Sequence, residues 1–330
     1  ALVSFPGREC RSGHMAWVAG VPRLSWCVRL APALFLCRRV TANPPDLDGQ
    51  KNENTHEHRL ARSGNAGGNI RRAMGAMSAD FRTPRLFTPE PFAVGGRLRL
   101  TPAQTHYLKN VLRRKPGDDV LVFNGRDGEG EGRISALGRD GAEIEVARLR
   151  RPQTSTPDLW LVFAPVKKAA MDNLVAKATE LGVDRLVPVW TQHTQARRLN
   201  LDRLEAQAIE AAEQSDRLSV PGIAPPRPLL DVLSDWPGER RLLVCDETGG
   251  GRPILDVLDE MGSGPTAFLA GPEGGFAISE LDPMRKLPFS TAIGLGPRVL
   301  RADTAAIAAL SCWQARLGDW HEQPAFRGTR

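Results

Sequence analysis

Leu159-Trp160-Leu161-Val162-Phe163-Ala164 is an unbroken apolar run, the pattern of a strand covered on both faces. A helix follows, with Met171, Leu174, Val175, Ala178 and Leu181 on one face and Gly182 as its stop. Further downstream, short apolar runs at 185–190, 241–245, 266–270 and 291–295 alternate with helical patterns at 201–216 and 302–317. Strand–helix alternation predicts an α/β domain with a mostly parallel sheet, which binds ligands at the carboxyl ends of its strands. Upstream, residues 151–158 are polar and contain proline, the composition of a linker.

Before that linker the texture is different. Apolar and polar residues alternate over 97–100, 119–123, 130–134 and 142–146. Pro116-Gly117, Asn124-Gly125, Asp127-Gly128 and Asp140-Gly141 punctuate them. This pattern predicts short antiparallel strands forming a small barrel. One helix interrupts it over 101–114, with Thr101 as its cap and Pro102 in its first turn.

Residues 1–76 show no sustained period, and 43–68 are polar and turn-rich. They read as an extension outside the fold. Residues 1–45 are Arg-rich with Glu9 as their one acid, so a transit peptide is the rival reading. A protein starting at Met77 is expected to fold and act like the full chain. A melting curve and an activity assay on the shortened and full-length proteins check this.

The net charge of +6 resides in that extension, which holds 11 basic and 5 acidic residues. Residues 77–330 carry 33 of each sign, so the global charge says nothing about what the folded part binds. Residues 77–150, with 13 basic and 10 acidic residues, leave room for a local basic patch. No apolar run reaches the roughly 18 residues of a membrane span. Cys10, Cys27, Cys37, Cys245 and Cys312 form no CxxC pair, and His56-Glu57-His58 stands isolated, so no metal site is expected.

Two glycine-bearing turns follow neighbouring strands. One is Gly271-Pro272-Glu273-Gly274-Gly275-Phe276, and the other is Gly294-Leu295-Gly296-Pro297-Arg298-Val299-Leu300-Arg301. Neither is a dinucleotide fingerprint or a phosphate-binding loop. They are either ordinary connections or a pair of main-chain walls around a flat ligand.

These turns, together with Glu213-Gln214-Ser215-Asp216-Arg217, Val220-Pro221 and the block from Leu295 through Arg301-Ala302-Asp303-Thr304-Ala305, closely resemble the signature blocks of the RsmE family. Lys167-Lys168, Lys177, Glu180-Leu181-Gly182-Val183, His106 and Val111-Leu112-Arg113 share the resemblance, which spans residues 83–318. Ser215 departs from it where a cysteine is expected.

The resemblance implies SPOUT-class enzymes that use S-adenosylmethionine (SAM) to methylate N3 of a uridine in 16S ribosomal RNA of the small subunit. It implies a PUA-like RNA-binding β-barrel domain over 77–151, a linker over 152–158, a methyltransferase domain with a trefoil knot over 159–318, and a tail over 319–330. It implies a homodimer, cytoplasmic unless the transit-peptide reading holds, with no membrane partner. Leu269, Gly271, Gly274, Gly275, Leu295, Gly296, Val299, Leu300 and Arg301 would hold SAM. Arg301 and Glu273 are the candidate catalytic residues. His106, Lys109, Arg113, Arg114, Lys167, Lys168 and Arg217 would bind RNA. The rival functions are methylation of another base or a ribose hydroxyl, and a non-catalytic RNA-binding assembly factor. For the individual residues, bland readings stand beside these. The Lys109–Arg114 cluster also fits a solvated helix face, His106 a packed histidine, and Glu273 a turn-stabilising carboxylate.

Overall fold

The computed structural model describes residues 83–138, 141–196 and 198–322, all within one compact unit. The extension with its three cysteines and the His56-Glu57-His58 run lie outside the described residues.

The first module is a curled five-stranded sheet. Its strands are β1 (Arg85–Phe87), β2 (Arg97–Arg99), β3 (Asp119–Phe123), β4 (Glu129–Leu137) and β5 (Ala142–Arg151). Their order is β1-β3-β4-β5-β2, so β1 and β2 are the edges and the sheet is a half-barrel rather than a closed one. The β1 strand, absent from the sequence reading, pairs parallel with β3. Leu86, Leu98, Val120, Val122, Ile134 and Ile144 fill the hollow. The expected helix is shorter than 101–114. Helix α1 (Pro102–His106) carries a capping box in which the Thr101 hydroxyl accepts from the Gln104 amide at 3.2 Å. It then widens into a π-helical turn, Tyr107–Val111, with Leu112 N–H donating to Tyr107 O at 2.9 Å. Arg113 ends it at φ 54°, a left-handed conformation that no helix continues through.

The second module is a parallel sheet between two helical layers. Its strands are β6 (Leu159–Phe163), β7 (Arg185–Trp190), β8 (Gly222–Ile223), β9 (Arg227–Pro228), β10 (Arg241–Cys245), β11 (Arg252–Pro253), β12 (Thr266–Ala270) and β13 (Ser290–Gly294). Their order is β11-β13-β10-β12-β6-β7-β8, with β9 also beside β7. The helices are α2 (Lys168–Glu180), α3 (Leu201–Gln214), α4 (Leu229–Ser234), α5 (Ile254–Glu260), α6 (Ile278–Met284) and α7 (Ala302–Arg316).

Alternation along the strands sorts the two faces. Leu159, Leu161, Phe163, Leu243, Phe268 and Ile293 pack under α2, α3, α5 and α7. Val162, Val187, Leu242, Val244 and Leu269 pack under α4 and α6. The apolar run that opens the domain therefore feeds two cores. Gly182, at φ 82°, ends α2 as expected, and the Gln314 amide donates to Leu181 O at 2.6 Å, seating α7 on that turn. Among the described residues no helix is long and apolar enough to cross a membrane.

Candidate active site and RNA-facing surface

Because β6, β7, β10, β12 and β13 run parallel, their following loops emerge along one edge of the sheet. Strand β10 lies between β12 and β13, so the two glycine-bearing turns flank its loop, residues 246–251. Such a reversal of strand order is where open α/β sheets bind ligands.

Three tethers hold the 271–277 loop. Glu247 accepts the Phe276 N–H at 2.8 Å, tying it to the β10 loop. Glu273 accepts the Lys167 N–H at 3.0 Å, tying it to the start of α2. His193 Nδ1 lies 3.2 and 3.1 Å from Gly274 O and Gly275 O. Both acceptors are carbonyls, so Nδ1 is the protonated nitrogen. Gly275 is at φ 70°, and a Cβ there would strike the Glu247 carboxylate, so the turn needs glycine on both counts.

Under the β10 loop, the Asp246 side chain is fully buried. Arg285 donates to it at 2.6 Å, as do the Thr248 hydroxyl at 2.6 Å and the Thr248 amide at 2.9 Å. Burial raises the Asp246 pKa, but these hydrogen bonds outweigh it and the carboxyl stays below its usual value. Gly251 brings its backbone onto β13, and a Cβ there would sit 2.7 Å from Gly294 N. The sequence reading does not single out this loop, although Gly249-Gly250-Gly251 directly after a strand is a visible sign of close backbone approach.

In the second turn Gly296 adopts φ 95° with nothing within 4 Å of where a Cβ would lie. Val299 is 86% exposed beside it. Arg301 is the N-cap of α7, with an extended backbone and an exposed side chain. The turn is therefore open to solvent around Gly296, with the Val299 side chain exposed and the Arg301 cation at its exit. Gly271, Gly274, Gly275, Leu295, Gly296, Val299, Leu300 and Arg301 all lie on these two turns. Leu269 does not. Its side chain is enclosed in the core and its backbone pairs with Val162 and Val244, so it anchors the loop from the strand end.

The structure also overturns the RNA-contact reading of Arg217. Its guanidinium is buried and donates to Thr179 O and Val183 O, both at 2.8 Å, and desolvation lowers its pKa to about 10. The block from Glu213 to Arg217 is instead the joint between the two modules. Arg85 donates to Ala212 O at 2.7 Å and to Arg217 O. Its Nε meets Glu129 at 2.5 Å, and Glu213 accepts the Phe87 N–H at 3.0 Å. Burial raises the Glu213 pKa. Arg151 completes the joint, bridging Glu129 at 2.9 Å and Asp216 O at 3.1 Å.

His106, Lys109 and Arg113 are exposed on the first module, Arg114 is half-buried, and Tyr107 and Val111 lie exposed among them. Cations interleaved with an aromatic and an aliphatic side chain suit nucleic-acid backbone and bases. Lys167 and Lys168 are exposed at the start of α2, on the same edge of the second module as the turns. If Lys109 and Arg113 grip phosphates, replacing both with Ala lowers the log–log salt slope of RNA binding by about 0.7–0.9 for each phosphate no longer neutralised. A filter-binding titration from low to high salt reads it, and an unchanged slope returns the cluster to a solvated face.

Residues 153–314 match the RNA methyltransferase domain family, and residues 100–147 the RNA methyltransferase PUA domain family. Ribosomal RNA small subunit methyltransferase E of Rickettsia conorii is 34% identical over 214 residues, which cover 64% of this chain and 86% of the relative. The chain belongs to the ribosomal RNA small subunit methyltransferase E family. The Synechocystis member is 28% identical over 231 residues, covering 69% of this chain and 76% of its own length. The crystal structure of the Neisseria gonorrhoeae member bound to SAM aligns with a TM-score of 0.65 at 28% identity, covering 72% of this chain and 99% of that one. The structure of a Legionella pneumophila protein in complex with bound SAM aligns with a TM-score of 0.62 at 28% identity, covering 72% of this chain and 99% of that one. The half-barrel is thus the PUA module of this family, and the parallel sheet its RNA methyltransferase module.

Proposed function

We propose that this protein transfers a methyl group from SAM to N3 of a uridine in 16S ribosomal RNA. The observation that carries the reading is the pair of glycine-bearing turns flanking the β10 loop at the carboxyl edge of the sheet. The residues present fit SAM. Gly296 leaves open space where a side chain would stand, Val299 offers an apolar wall, and Gly271, Gly274 and Gly275 offer main chain. Bound there, SAM supplies an electrophilic methyl on a sulfonium.

The rest falls to the chain. N3 lies on the Watson–Crick edge, so the target base has to be unpaired or extruded to be reached. N3 must also lose its proton before or during attack. Arg301, at the exit of the second turn, faces the developing anion as a fixed positive charge. Glu273, held in place by the Lys167 N–H, is the proton acceptor. The exposed basic face of the PUA module grips phosphates and sets which uridine is presented.

The working form in this proposal is a homodimer. Val299 and Ile278 are apolar, 86% and 75% exposed, and lie beside the two turns, which suits a partner surface there. The trefoil knot of the resemblance is part of the proposal too. The chain leaves β13, which lies between β11 and β10, and packs α7 across the sheet against α2 and β12. The cytoplasm is the proposed location, or an organelle if residues 1–45 act as a transit peptide.

Calorimetry with SAM tests the cofactor. Mass mapping of nucleosides, after reaction with small subunits from a strain lacking the modification, tests the product. SAM binding without methylation of subunits leaves the assembly-factor reading, and a methyl on another atom gives the SPOUT alternative.

A further inference from the structure

A cleft of about 390 Å³ lies beside the 271–277 loop, between the start of α2 and the β7–α3 connection. The volume falls within the range of small-ligand sites. Its floor is apolar, formed by Val166, Met171 and Leu204. Its rim is cationic and amidic, with Lys167, Lys168, Gln195 and Arg198. Glu273 closes one end through its hydrogen bond to Lys167 N. Arg203 also borders the cleft, but its charge is met by Asp172. Among the described residues Lys167, Lys168 and Arg198 enter no ion pair, so the rim carries three positive charges against the single carboxylate of Glu273 at its end. Helix α2 adds to that field, because its first turn holds no acid and Lys167 provides no side-chain cap.

We infer that this cleft receives the extruded target nucleotide, with Gln195 and Arg198 as substrate-positioning residues. The inference rests on the methyltransferase reading above and gives that reading its substrate pocket. The base lies on the floor of Val166, Met171 and Leu204. Its 5′ phosphate meets Lys168 and Arg198. The Gln195 amide donates to a uracil carbonyl, an acceptor that a pyrimidine with an exocyclic amine lacks at that ring position. An apolar floor under a cationic rim matches a nucleotide, whose base is flat and whose phosphate is charged. A bare phosphate site has no use for the floor. Glu273 links the cleft to the loop bearing Gly271 and Gly275, so a nucleotide held here is next to the proposed cofactor turns.

The test uses the full chain carrying Gln195→Ala and Arg198→Ala, with Arg227→Ala as a remote charge control. The expected result is a rise of about tenfold or more in KM for undermethylated small subunits, from the loss of charged hydrogen bonds. SAM affinity and melting temperature stay at wild type, and Arg227→Ala changes none of the three. An unchanged KM overturns the inference. A second readout does not depend on turnover. A single-stranded oligonucleotide carrying one 4-thiouridine is photocrosslinked to the wild-type protein and the crosslinked peptide is mapped. Crosslinks in residues 166–171 or 195–204 support the cleft, and crosslinks confined elsewhere overturn it. Absence of methylation by the wild type would sink the enzyme reading, while the crosslink still decides the cleft.

Discussion

Replacing Glu129 with Ala should destabilise the protein by about 3–5 kcal/mol, the cost of breaking a buried ion pair from one side. The Glu129 side chain and that of Arg85 are each 2% exposed, and they meet at 2.5 Å. Arg151 donates to both oxygens of the same carboxylate at 2.9 Å. The Arg85 guanidinium also stacks 4.0 Å from the Phe123 ring, so it is fixed inside the joint and cannot swing to water. Without Glu129 it keeps its carbonyl partners but loses its nearest carboxylate. Urea unfolding reads the loss. Glu129→Gln, which keeps the shape and one acceptor, should fall between wild type and Ala. Equal stability of all three would mean that the carboxylate contributes packing alone.

The same joint predicts an acid arm. Burial raises the Glu129 pKa, but hydrogen bonds from Arg151 and Arg85 outweigh it, and the net shift is downward from 4.5. A depressed folded pKa means stability that is present above the unfolded value and is lost as pH falls through the folded one. Glu213 runs the other way. Burial raises its pKa, so protonation favours its folded environment and its contribution grows as pH falls. The wild type should therefore lose stability below about pH 4.5 by an amount that Glu129→Gln reduces.

Most of the fold is legible in the sequence because its signals are local. The runs at 159–164, 185–190, 241–245 and 266–270 form β6, β7, β10 and β12 almost to the residue. The short helices α4, α5 and α6 escape such a reading, as one or two turns leave too little sequence to establish a period. The near-repeat Arg227-Pro228-Leu229-Leu230-Asp231-Val232-Leu233 and Arg252-Pro253-Ile254-Leu255-Asp256-Val257-Leu258 acquires its meaning only in the structure. Each copy makes a two-residue strand that turns directly into a helix, one toward each edge of the sheet.

The site divides in the same way. The glycine turns are contiguous in sequence, so their neighbours can be named in advance. The cleft joins Lys167 to Glu273 across 106 positions, a distance over which a single sequence carries no signal. Arg217 misleads for a related reason. It sits in a block that reads as functional, yet the partners that claim its guanidinium, Thr179 and Val183, are 38 and 34 residues away.

Arg301→Ala should lose methylation by about 10²–10³-fold while binding SAM normally, the size expected when one preorganised charge is removed from a transition state. Gly296→Val is the contrast. A branched side chain at Gly296 would stand where SAM is proposed to lie, without meeting protein atoms. The open space around that position agrees, but φ 95° adds a backbone cost. A β-branched residue held there costs about 1–3 kcal/mol, so Gly296→Val should lower the melting temperature even without SAM, as well as abolish SAM binding. Arg301 carries no such strain. It has an ordinary extended backbone, its side chain is exposed, and it makes no cap hydrogen bond to α7. Its truncation should leave melting unchanged and take away only what the guanidinium does in the reaction. Calorimetry with SAM, a melting curve and a methyl-incorporation assay on the two variants separate the effects. Loss of SAM affinity in Arg301→Ala would make the residue part of the cofactor cradle. Full methylation by that variant would remove it from the chemistry altogether and leave Glu273 as the remaining catalytic candidate.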